Sequence, residues 1–325
     1  MFKKYTDCLV QTPLEFSKQL SEKFNNNIFL KLESKQVSSS FKIRGVFNFF
    51  QYLVNENILN KTNTTHIATY TTGNHGIAVA YLSKIFKIPS KIYAPVNISK
   101  RKIDIINNHC NNSNCELILT NTRQEAENYA RQSNNGLFLH PSGSKIAISG
   151  IANIMQEIYK QLKQELPYAI FAPCGGGGLL SGLKEGALNI EMQHIADKNQ
   201  NYKLKNFTTN KTKIKIYGCE PKEANDAYLS KKNNKIYKFQ SSPKTIADAL
   251  CALSLSELSF SYIKQIEDMF LASEEEIQLN YNELQKIYPL EISSAIVLSG
   301  LEKWHLANKN IKNKNIILII SGNNN

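Results

Sequence analysis

The sequence predicts an α/β fold with two lobes built from parallel sheets that are flanked by helices. Short β-rich runs alternate with segments of helical periodicity along most of the chain, as in parallel sheets covered on both faces. The chain has 325 residues, about twice the length of a typical domain of ~150 residues. Its composition, 42% hydrophobic and 20% charged, is that of an ordinary globular protein.

The predicted elements follow one another in β-α order. The strands are runs rich in β-branched and aromatic residues, at residues 28–33, 66–70, 91–94, 116–120, 137–140, 168–172, 213–218 and 316–320. The helices repeat apolar residues at helical spacing, at residues 76–86, 99–108, 123–132, 148–162 and 179–188. A stretch rich in Asn and Lys, residues 194–213, predicts a surface insertion before a strand.

Charge and hydropathy exclude several classes of partner. The net charge is +12, but the lysines concentrate in Asn-rich stretches without interleaved aromatic residues, which is not typical of a nucleic-acid-binding protein. The apolar run at residues 316–320 is far shorter than the ~18 residues that a membrane span needs. The first residues lack the apolar core of a secretory signal. We therefore expect a cytoplasmic protein that binds neither nucleic acid nor membrane.

Two further expectations concern the redox state of the cysteines and regulation by a C-terminal domain. No pair of the 6 cysteines has Cys-x-x-Cys spacing, so we expect reduced thiols and no zinc site. The sequence ends at Asn325, and we expect no feedback control by an appended C-terminal domain.

A lysine lies among hydroxyl and aromatic side chains in the run Ser38-Ser39-Ser40-Phe41-Lys42-Ile43-Arg44-Gly45. A lone lysine is usually a solvated surface charge. Its amine becomes a nucleophile only where burial or neighbouring charges lower its pKa. Lys42 is therefore a candidate nucleophile whose role depends on the motifs around it.

A glycine loop, Gly175-Gly176-Gly177-Gly178, lies between a predicted strand and a predicted helix. Its backbone N–H groups can converge on a phosphate beside the helix N-terminus. The loop is neither a dinucleotide fingerprint nor a Walker loop. A flexible connection is the alternative, but consecutive glycines cost conformational entropy, so phosphate binding is favoured.

A second loop between strand and helix reads Thr71-Thr72-Gly73-Asn74-His75-Gly76. Its polar side chains and glycines suit the binding of a ligand at the start of a helix. The alternative is an ordinary helix cap, made by Thr72 or Asn74.

Together these motifs resemble the β-family, or fold type II, of pyridoxal-phosphate enzymes, and within it the branch of serine racemases and serine/threonine dehydratases. The resemblance covers nearly the whole chain in the family's order, and it includes Thr12-Pro13-Leu14, His140-Pro141, Gly218-Cys219-Glu220-Pro221, Thr245-Ile246-Ala247-Asp248 and Ser321-Gly322-Asn323. It implies a two-lobed, tryptophan-synthase-β-like fold. The large cofactor-binding domain would comprise residues 1–54 and 144–325, the small mobile domain residues 55–143, and the assembly would be a homodimer.

The resemblance implies pyridoxal 5'-phosphate as the cofactor. Lys42 would be the residue of covalent attachment and, once released, the base that removes the substrate's α-proton. Phe41 would pack beside the cofactor, Asn74 would hydrogen-bond its 3-hydroxyl, and the four glycines Gly175, Gly176, Gly177 and Gly178 would bind its phosphate. Ser321 would face the pyridine nitrogen, unless it is only a turn serine after a buried strand.

The resemblance also implies an amino-acid substrate, held by Ser40, Thr72, Gly73 and His75. Loss of water and ammonia from L-serine, L-threonine or a related β-hydroxy amino acid would give a 2-oxo acid. Thr72 stands where a racemase has its serine, so a serine racemase is the first alternative. A cofactor-binding protein with lost or redirected turnover is the second.

A divalent-cation loop is implied by the resemblance at Glu220, Ala224 and Asp226, whose oxygen ligands would suit Mg²⁺ or Ca²⁺. The alternative is a set of solvated acidic residues. The sequence departs from the family's pattern mainly on the substrate side, at Ser39, Ser142, Ile151, Ile292 and Asn323. Substrate identity is therefore the least transferable part of the resemblance.

Overall fold

The computed structural model describes residues 8–198 and 212–324. The strands are β1 (Leu14–Phe16), β2 (Asn27–Leu32), β3 (His66–Tyr70), β4 (Ser90–Pro95), β5 (Cys115–Thr120), β6 (Gly136–Phe138), β7 (Ala169–Pro173), β8 (Lys215–Pro221), β9 (Asp268–Ala272) and β10 (Asn315–Ile320). The helices are α1 (Lys18–Phe24), α2 (Lys42–Asn55), α3 (Ile58–Lys61), α4 (Asn74–Phe86), α5 (Lys100–Cys110), α6 (Arg123–Arg131), α7 (Lys145–Gln161), α8 (Gly178–Lys198), α9 (Asp226–Lys232), α10 (Glu257–Ile263), α11 (Glu274–Leu284) and α12 (Ile292–Ala307).

The strands form two sheets. The larger has the order β1-β2-β10-β7-β8-β9, in which β1 is antiparallel to β2 and the other pairs are parallel. The smaller has the order β5-β4-β3-β6 and is parallel throughout. The last strand, β10, lies between β2 and β7, so the two ends of the described chain meet in one sheet.

Apolar side chains pack on both faces of each sheet. In β10 alternate residues enter different clusters, with Leu318 on one face and Ile317 and Ile319 on the other. Helix α12 packs over one face of the larger sheet and α7 and α8 over the opposite face. Burial on both faces explains why the strands appear in the sequence as nearly continuous apolar runs.

The predicted α/β class is confirmed, and each predicted strand occurs: β3 has the predicted bounds, and the others have at least one end shifted by one to three residues. Strands β1 and β9 and several helices, including α2 and α12, were not predicted. Helix α12 is buried on nearly all sides, so it lacks the polar stripe that reveals an amphipathic helix. The predicted insertion at residues 194–213 is helical up to Lys198, and most of its remainder lies outside the described residues.

All strands of the smaller sheet fall within residues 66–138. Helix α2 contributes Ile43, Val46 and Phe50 to the apolar cluster that also contains Ile67 of β3. The boundaries after residues 54 and 143, and the mobility of the small domain, stay predictions. No helix in the described part of the chain is long and apolar enough to cross a membrane.

Candidate active site

A cleft between the two sheets brings together the motifs that the sequence analysis singled out. Most wall segments follow the carboxyl end of a parallel strand, the usual place for a binding site in α/β proteins. The wall includes Phe41, Lys42, Thr72, Asn74, His75, Ser142, Gly175, Gly176, Gly177, Gly178, Glu291 and Ser321. The predicted substrate residues Ser40 and Gly73 adjoin this wall without lining it.

Lys42 is the first residue of α2, and its side chain is half-buried. Its Nζ donates a hydrogen bond to the Pro141 carbonyl at 3.0 Å and lies 5.1 Å from the centre of the Phe41 ring. Burial, with a smaller contribution from the Arg123 charge, lowers the pKa of Lys42 to about 8, and the Glu291 charge opposes the shift. A substantial fraction of neutral amine is therefore present near pH 8.

Arg44, two residues beyond Lys42, anchors the start of α2 in a buried ion network. Its Nε and Nη2 donate to Glu33 at 2.6 and 2.8 Å, and its Nη1 donates to Glu157 at 2.7 Å. Lys31 binds Glu157 at 2.6 Å. Paired and hydrogen-bonded buried charges of this kind hold a fixed geometry, so the network sets the position from which Lys42 enters the cleft.

The glycine loop between β7 and α8 has the shape of an anion cradle. Gly177 has a φ of +79°, which glycine adopts without strain. A Cβ on Gly176 would lie 2.5 Å from the Ser142 Oγ, and one on Gly178 would lie 3.1 Å from the Ser142 Cα. Within residues 8–198 and 212–324, nothing accepts a hydrogen bond from the backbone N–H of Gly175, Gly176 or Gly177.

These N–H groups lie beside the N-terminus of α8, where the helix dipole favours negative charge. The donors, the dipole and the close approach of Ser142 fit a phosphate group. A side chain at Gly176 or Gly178 would fill the space between the loop and Ser142. The residues present therefore suit the phosphate of the expected cofactor.

The second loop, between β3 and α4, is capped differently from the predicted alternatives. The Thr71 Oγ1 accepts hydrogen bonds from the N–H groups of Gly73 and Gly76, both at 2.9 Å. Neither Thr72 nor Asn74 caps the helix, so the alternative interpretation of this loop was wrong. No described residue hydrogen-bonds the Thr72 hydroxyl, which lines the cleft.

Asn74 connects the two sheets through its side-chain amide. Its Nδ2 donates to the Glu291 carboxylate at 2.9 and 3.1 Å. Its Oδ1 accepts from the Asn324 Nδ2 at 3.1 Å. Burial raises the pKa of Glu291, and the nearby charge of Lys102 opposes the shift. The Asn74 side chain is thus held in a fixed orientation at the cleft wall.

His75 is neutral in this environment. Burial, together with the charge of Lys42, holds the pKa of His75 well below its usual range. The Thr69 hydroxyl donates to the Leu139 carbonyl at 2.7 Å and also contacts the His75 Nε2 at 2.9 Å. Because the hydroxyl proton is used by Leu139, the network assigns the imidazole proton to Nε2.

Ser321 follows β10 and faces the cleft. Its Oγ lies 3.0 Å from the Oγ of Ser294, and its carbonyl accepts from the Phe41 N–H at 3.0 Å. Ser294 belongs to a segment that departs from the family's pattern, and here it supplies the hydrogen-bond partner of Ser321. Ser39 also departs from the family's pattern. Its φ of +54° is a backbone conformation that favours glycine.

The predicted cation loop follows β8, the neighbour of β7 in the larger sheet, and the glycine loop follows β7. Glu220 accepts hydrogen bonds from the N–H groups of Ala227 and Tyr228 at 3.1 and 2.8 Å. Both carboxylate oxygens of Asp226 are buried without a hydrogen-bond partner, and burial raises the pKa of Asp226 to about 7. The described residues hold no cluster of three or more His, Cys, Asp or Glu side chains suited to a metal.

Sequence reasoning missed Arg123, which lines the cleft, and Lys102, which packs beside Gly73 next to the cleft wall. Arg123 donates to the Cys251 carbonyl, and its guanidinium lies 5.9 Å from the centre of the Tyr70 ring. Lys102 binds Asp248 at 2.6 Å and fills the space beside Gly73. No local pattern marks these residues, because only folding brings them to the cleft.

Two curated relatives match almost the whole chain. Biosynthetic L-threonine dehydratase of Halalkalibacterium halodurans is 28% identical over 98% of this chain and 71% of its own length. Serine racemase of Rattus norvegicus is 28% identical over 98% of this chain and 89% of its own length.

Solved structures show the same similarity. Maize serine racemase has a TM-score of 0.81 and 25% identity, covering 99% of this chain and 91% of its own. Threonine deaminase isoform 2 of Solanum lycopersicum has a TM-score of 0.79 and 28% identity, covering 98% and 85%. The family model for pyridoxal-phosphate dependent enzymes matches residues 5–322. With the lysine, the phosphate cradle and the fold in agreement, the chain belongs to the pyridoxal-phosphate dependent enzyme family.

Proposed function

We propose that the protein is an ammonia-lyase that removes water and ammonia from L-threonine, L-serine or a related β-hydroxy amino acid. The observation that carries the proposal is the cleft itself. It places the Lys42 amine, with its lowered pKa, on the same wall as the glycine cradle and Ser321. Threonine dehydratases and serine racemases among the relatives support this class of substrate.

When bound, pyridoxal phosphate supplies an electron sink for the charge left on the substrate's α-carbon after a proton leaves. The N–H groups of the glycine loop would hold its phosphate, and Phe41 would pack against its ring. Lys42 would be the site of attachment and the base for the α-proton. Its lowered pKa supports both roles, because attachment and proton removal each need the neutral amine.

The substrate's carboxylate would bind at the start of α4. This helix has 13 residues, and its positive N-terminal end favours an anion. Thr72 and His75 line the wall there. Neutral His75 keeps its proton on Nε2, so it would orient the loop through Thr69 rather than exchange protons with the substrate.

A serine racemase is the second candidate, and one observation favours it. The Thr72 hydroxyl lines the cleft and has no hydrogen-bond partner among the described residues, so it is free to return a proton. In this reading Thr72→Ala would retain cofactor binding and abolish interconversion of serine enantiomers. Unchanged interconversion would exclude Thr72 as the proton donor.

We also propose that Glu220, the Ala224 carbonyl and Asp226 bind Mg²⁺ or Ca²⁺. The partnerless oxygens of Asp226 support this, because a buried carboxylate without hydrogen bonds is costly unless a cation or a proton compensates it. A cytoplasmic location and a homodimer remain part of the proposal, and the homodimer rests on the resemblance alone.

The first test is 2-oxo acid release by the cofactor-loaded protein from L-serine, L-threonine, D-serine and 3-hydroxyaspartate in one panel. Release from any of them identifies a lyase and ranks its substrates. Lys42→Ala should lose both the visible absorption of the bound cofactor and turnover, whereas Lys18→Ala, at an exposed ion pair, should retain both. Normal turnover by Lys42→Ala would refute the assignment, and a silent panel with cofactor bound would favour the racemase or a protein with lost turnover.

A further inference from the structure

The Asn74 loop (residues 72–75), which is proposed to bind the substrate's carboxylate, offers three unused donors. No described residue accepts a hydrogen bond from the backbone N–H of Thr72, Asn74 or His75. All three stand beside the N-terminus of α4, where the helix dipole favours an anion. The affinity of such a site depends on how well its donors are held in place before binding. The support of Gly73, within the loop, is therefore important.

Gly73 packs against the side chain of Lys102. A Cβ on Gly73 would lie 2.4 Å from the Lys102 Cδ and 3.1 Å from its Cε, so the alkyl chain is in direct contact with the loop. Gly73 also has a φ of +141°, a backbone conformation that glycine adopts without strain. Lys102 is only 1% exposed and belongs to α5, which packs against α4. The loop and its support thus lie on the same side of the cleft, with the smaller sheet.

The Lys102 ammonium binds a residue on the other side of the cleft. Its Nζ donates to the Asp248 carboxylate at 2.6 Å. Asp248 begins a short turn, residues 248–250, that packs on α12 beside the larger sheet. The same ammonium opposes the rise that burial causes in the pKa of Glu291, which binds the amide of the loop. One lysine side chain therefore connects the Asn74 loop with the side of the larger sheet.

The turn that carries Asp248 is itself held in place. The Ala249 N–H donates to the Ser293 hydroxyl of α12 at 3.2 Å. Just before the turn, the Thr245 hydroxyl donates to the Glu274 carboxylate at 2.6 Å. Asp248 therefore presents its carboxylate from a fixed position, and the ion pair fixes the lysine side chain that contacts the loop.

We propose that the ion pair between Lys102 and Asp248 positions the Asn74 loop for the carboxylate of the amino-acid substrate. Neither residue lines the cleft around Lys42, so both act through Gly73 and not by contact with the substrate. Asp248 is the one carboxylate in ion-pair contact with Lys102 among the described residues. Breaking the pair frees the lysine side chain and loosens the donors, which weakens substrate binding. The inference rests on the proposed function, because it assumes that the carboxylate binds at this loop.

The effect of Asp248→Asn separates positioning from simple charge. If Lys102 only attracted the carboxylate by its charge, Asp248→Asn would leave that charge unpaired and tighten substrate binding. If the pair positions the loop, Asp248→Asn and Lys102→Met both weaken binding, because each breaks the same contact. Methionine keeps much of the length and apolar surface of lysine beside Gly73. The double variant contains neither charge of the pair, so it gives a third chain in which no buried charge is left unpaired.

The experiment titrates each cofactor-loaded protein with glycine and follows the visible absorption of the bound cofactor. Glycine has the substrate's amine and carboxylate but no β-hydroxyl to lose, so binding is measured without dehydration. We expect Lys102→Met, Asp248→Asn and the double variant each to raise the dissociation constant for glycine about tenfold. The double variant should bind no more weakly than either single variant, because a shared contact is lost only once. Arg101→Met, at an exposed cation of the same helix, should bind glycine as the wild type does.

Kinetics provide a second measurement. With L-serine or L-threonine, Lys102→Met should raise KM about tenfold and leave kcat nearly unchanged, because Lys102 touches neither the substrate nor the reacting atoms. A lower melting temperature with an unchanged dissociation constant for glycine would show a purely structural role and overturn the proposal.

Two other results would also overturn the proposal. They are tighter glycine binding by Asp248→Asn, and additive losses that reach about a hundredfold in the double variant. A wild type whose absorption responds to no amino acid would refute the proposed function together with this inference. Variants that bind glycine as a responsive wild type does would refute this inference alone.

Discussion

Replacement of Arg44 by methionine tests whether a buried ion network positions the proposed catalytic lysine. Arg44 donates to both oxygens of Glu33 and to Glu157 at distances of 2.6 to 2.9 Å. In Arg44→Met, Glu157 keeps Lys31 as a partner at 2.6 Å. Glu33 is fully buried, and within the described part of the chain its carboxylate keeps a hydrogen bond only from the Thr12 hydroxyl, at 2.6 Å. The variant therefore leaves the buried Glu33 carboxylate without the two hydrogen bonds and the positive charge that Arg44 supplies.

The expected loss of stability follows from the unpaired charge of the Glu33 carboxylate in the variant. Removing one partner of a buried pair costs about 3–5 kcal/mol. At about 2 °C per kcal/mol for a large chain, the melting temperature falls by roughly 6–10 °C. The exposed pair between Lys18 and Glu22, 3.9 Å apart with side chains 84% and 69% exposed, is the matched control. Lys18→Met should leave the melting temperature unchanged, because solvated pairs contribute little.

The assay is differential scanning calorimetry of both variants and the wild type, with and without cofactor. Because the network holds the first turn of α2, Arg44→Met should also weaken cofactor binding, measured by visible absorption during titration. Arg44→Lys retains a positive charge but lacks the planar guanidinium group, which can donate two parallel hydrogen bonds to a carboxylate. Its melting temperature should therefore lie between that of the methionine variant and that of the wild type. A melting temperature for Arg44→Met within about 2 °C of wild type, or equal loss in the Lys18 variant, would refute the reasoning.

Three further predictions concern the cofactor and cation sites. Gly176→Ala should weaken cofactor binding at least tenfold by equilibrium dialysis, because the new Cβ meets Ser142 at 2.5 Å; Ser142→Gly in the same chain should restore it, and failure to restore would place the conflict elsewhere. Attachment of the cofactor to the apoprotein should speed up as pH rises through about 8, the lowered pKa of Lys42, since the neutral amine attacks; a midpoint near 10.5, the ordinary value, would contradict the burial argument. In thermal melts Mg²⁺ or Ca²⁺ should stabilise the wild type and not Asp226→Ala; an equal ion response in both would exclude that site.

The glycine loop and the Lys42 run were predictable because their signals are local. Consecutive glycines between a strand and a helix restrict the possible conformations of that connection, whatever surrounds it. The same holds for the apolar runs that became β3 and β10. In contrast, the helix cap at Thr71 depended on the exact backbone path of the loop, and the sequence offered Thr72 and Asn74 as equally plausible caps.

The partners of these motifs were not predictable from the sequence. Glu291 is 217 residues from Asn74 in the chain, and Lys102 is 146 residues from Asp248. Each pair contains a buried charge whose role depends on which group it meets after folding. Ser142, and Ser294 in the segment that begins with the departure at Ile292, likewise acquired a role only when packing placed them against the glycine loop and Ser321.

The sequence by itself determined the α/β class, the order of the motifs and the choice of Lys42 and the glycine loop as candidate site residues, since these depend on local backbone preference and on side-chain chemistry. The tertiary structure decided which charges face Lys42 and which group caps the Asn74 loop. Those outcomes depend on contacts between segments far apart in the chain, where burial and distance set the strength of each charge and hydrogen bond.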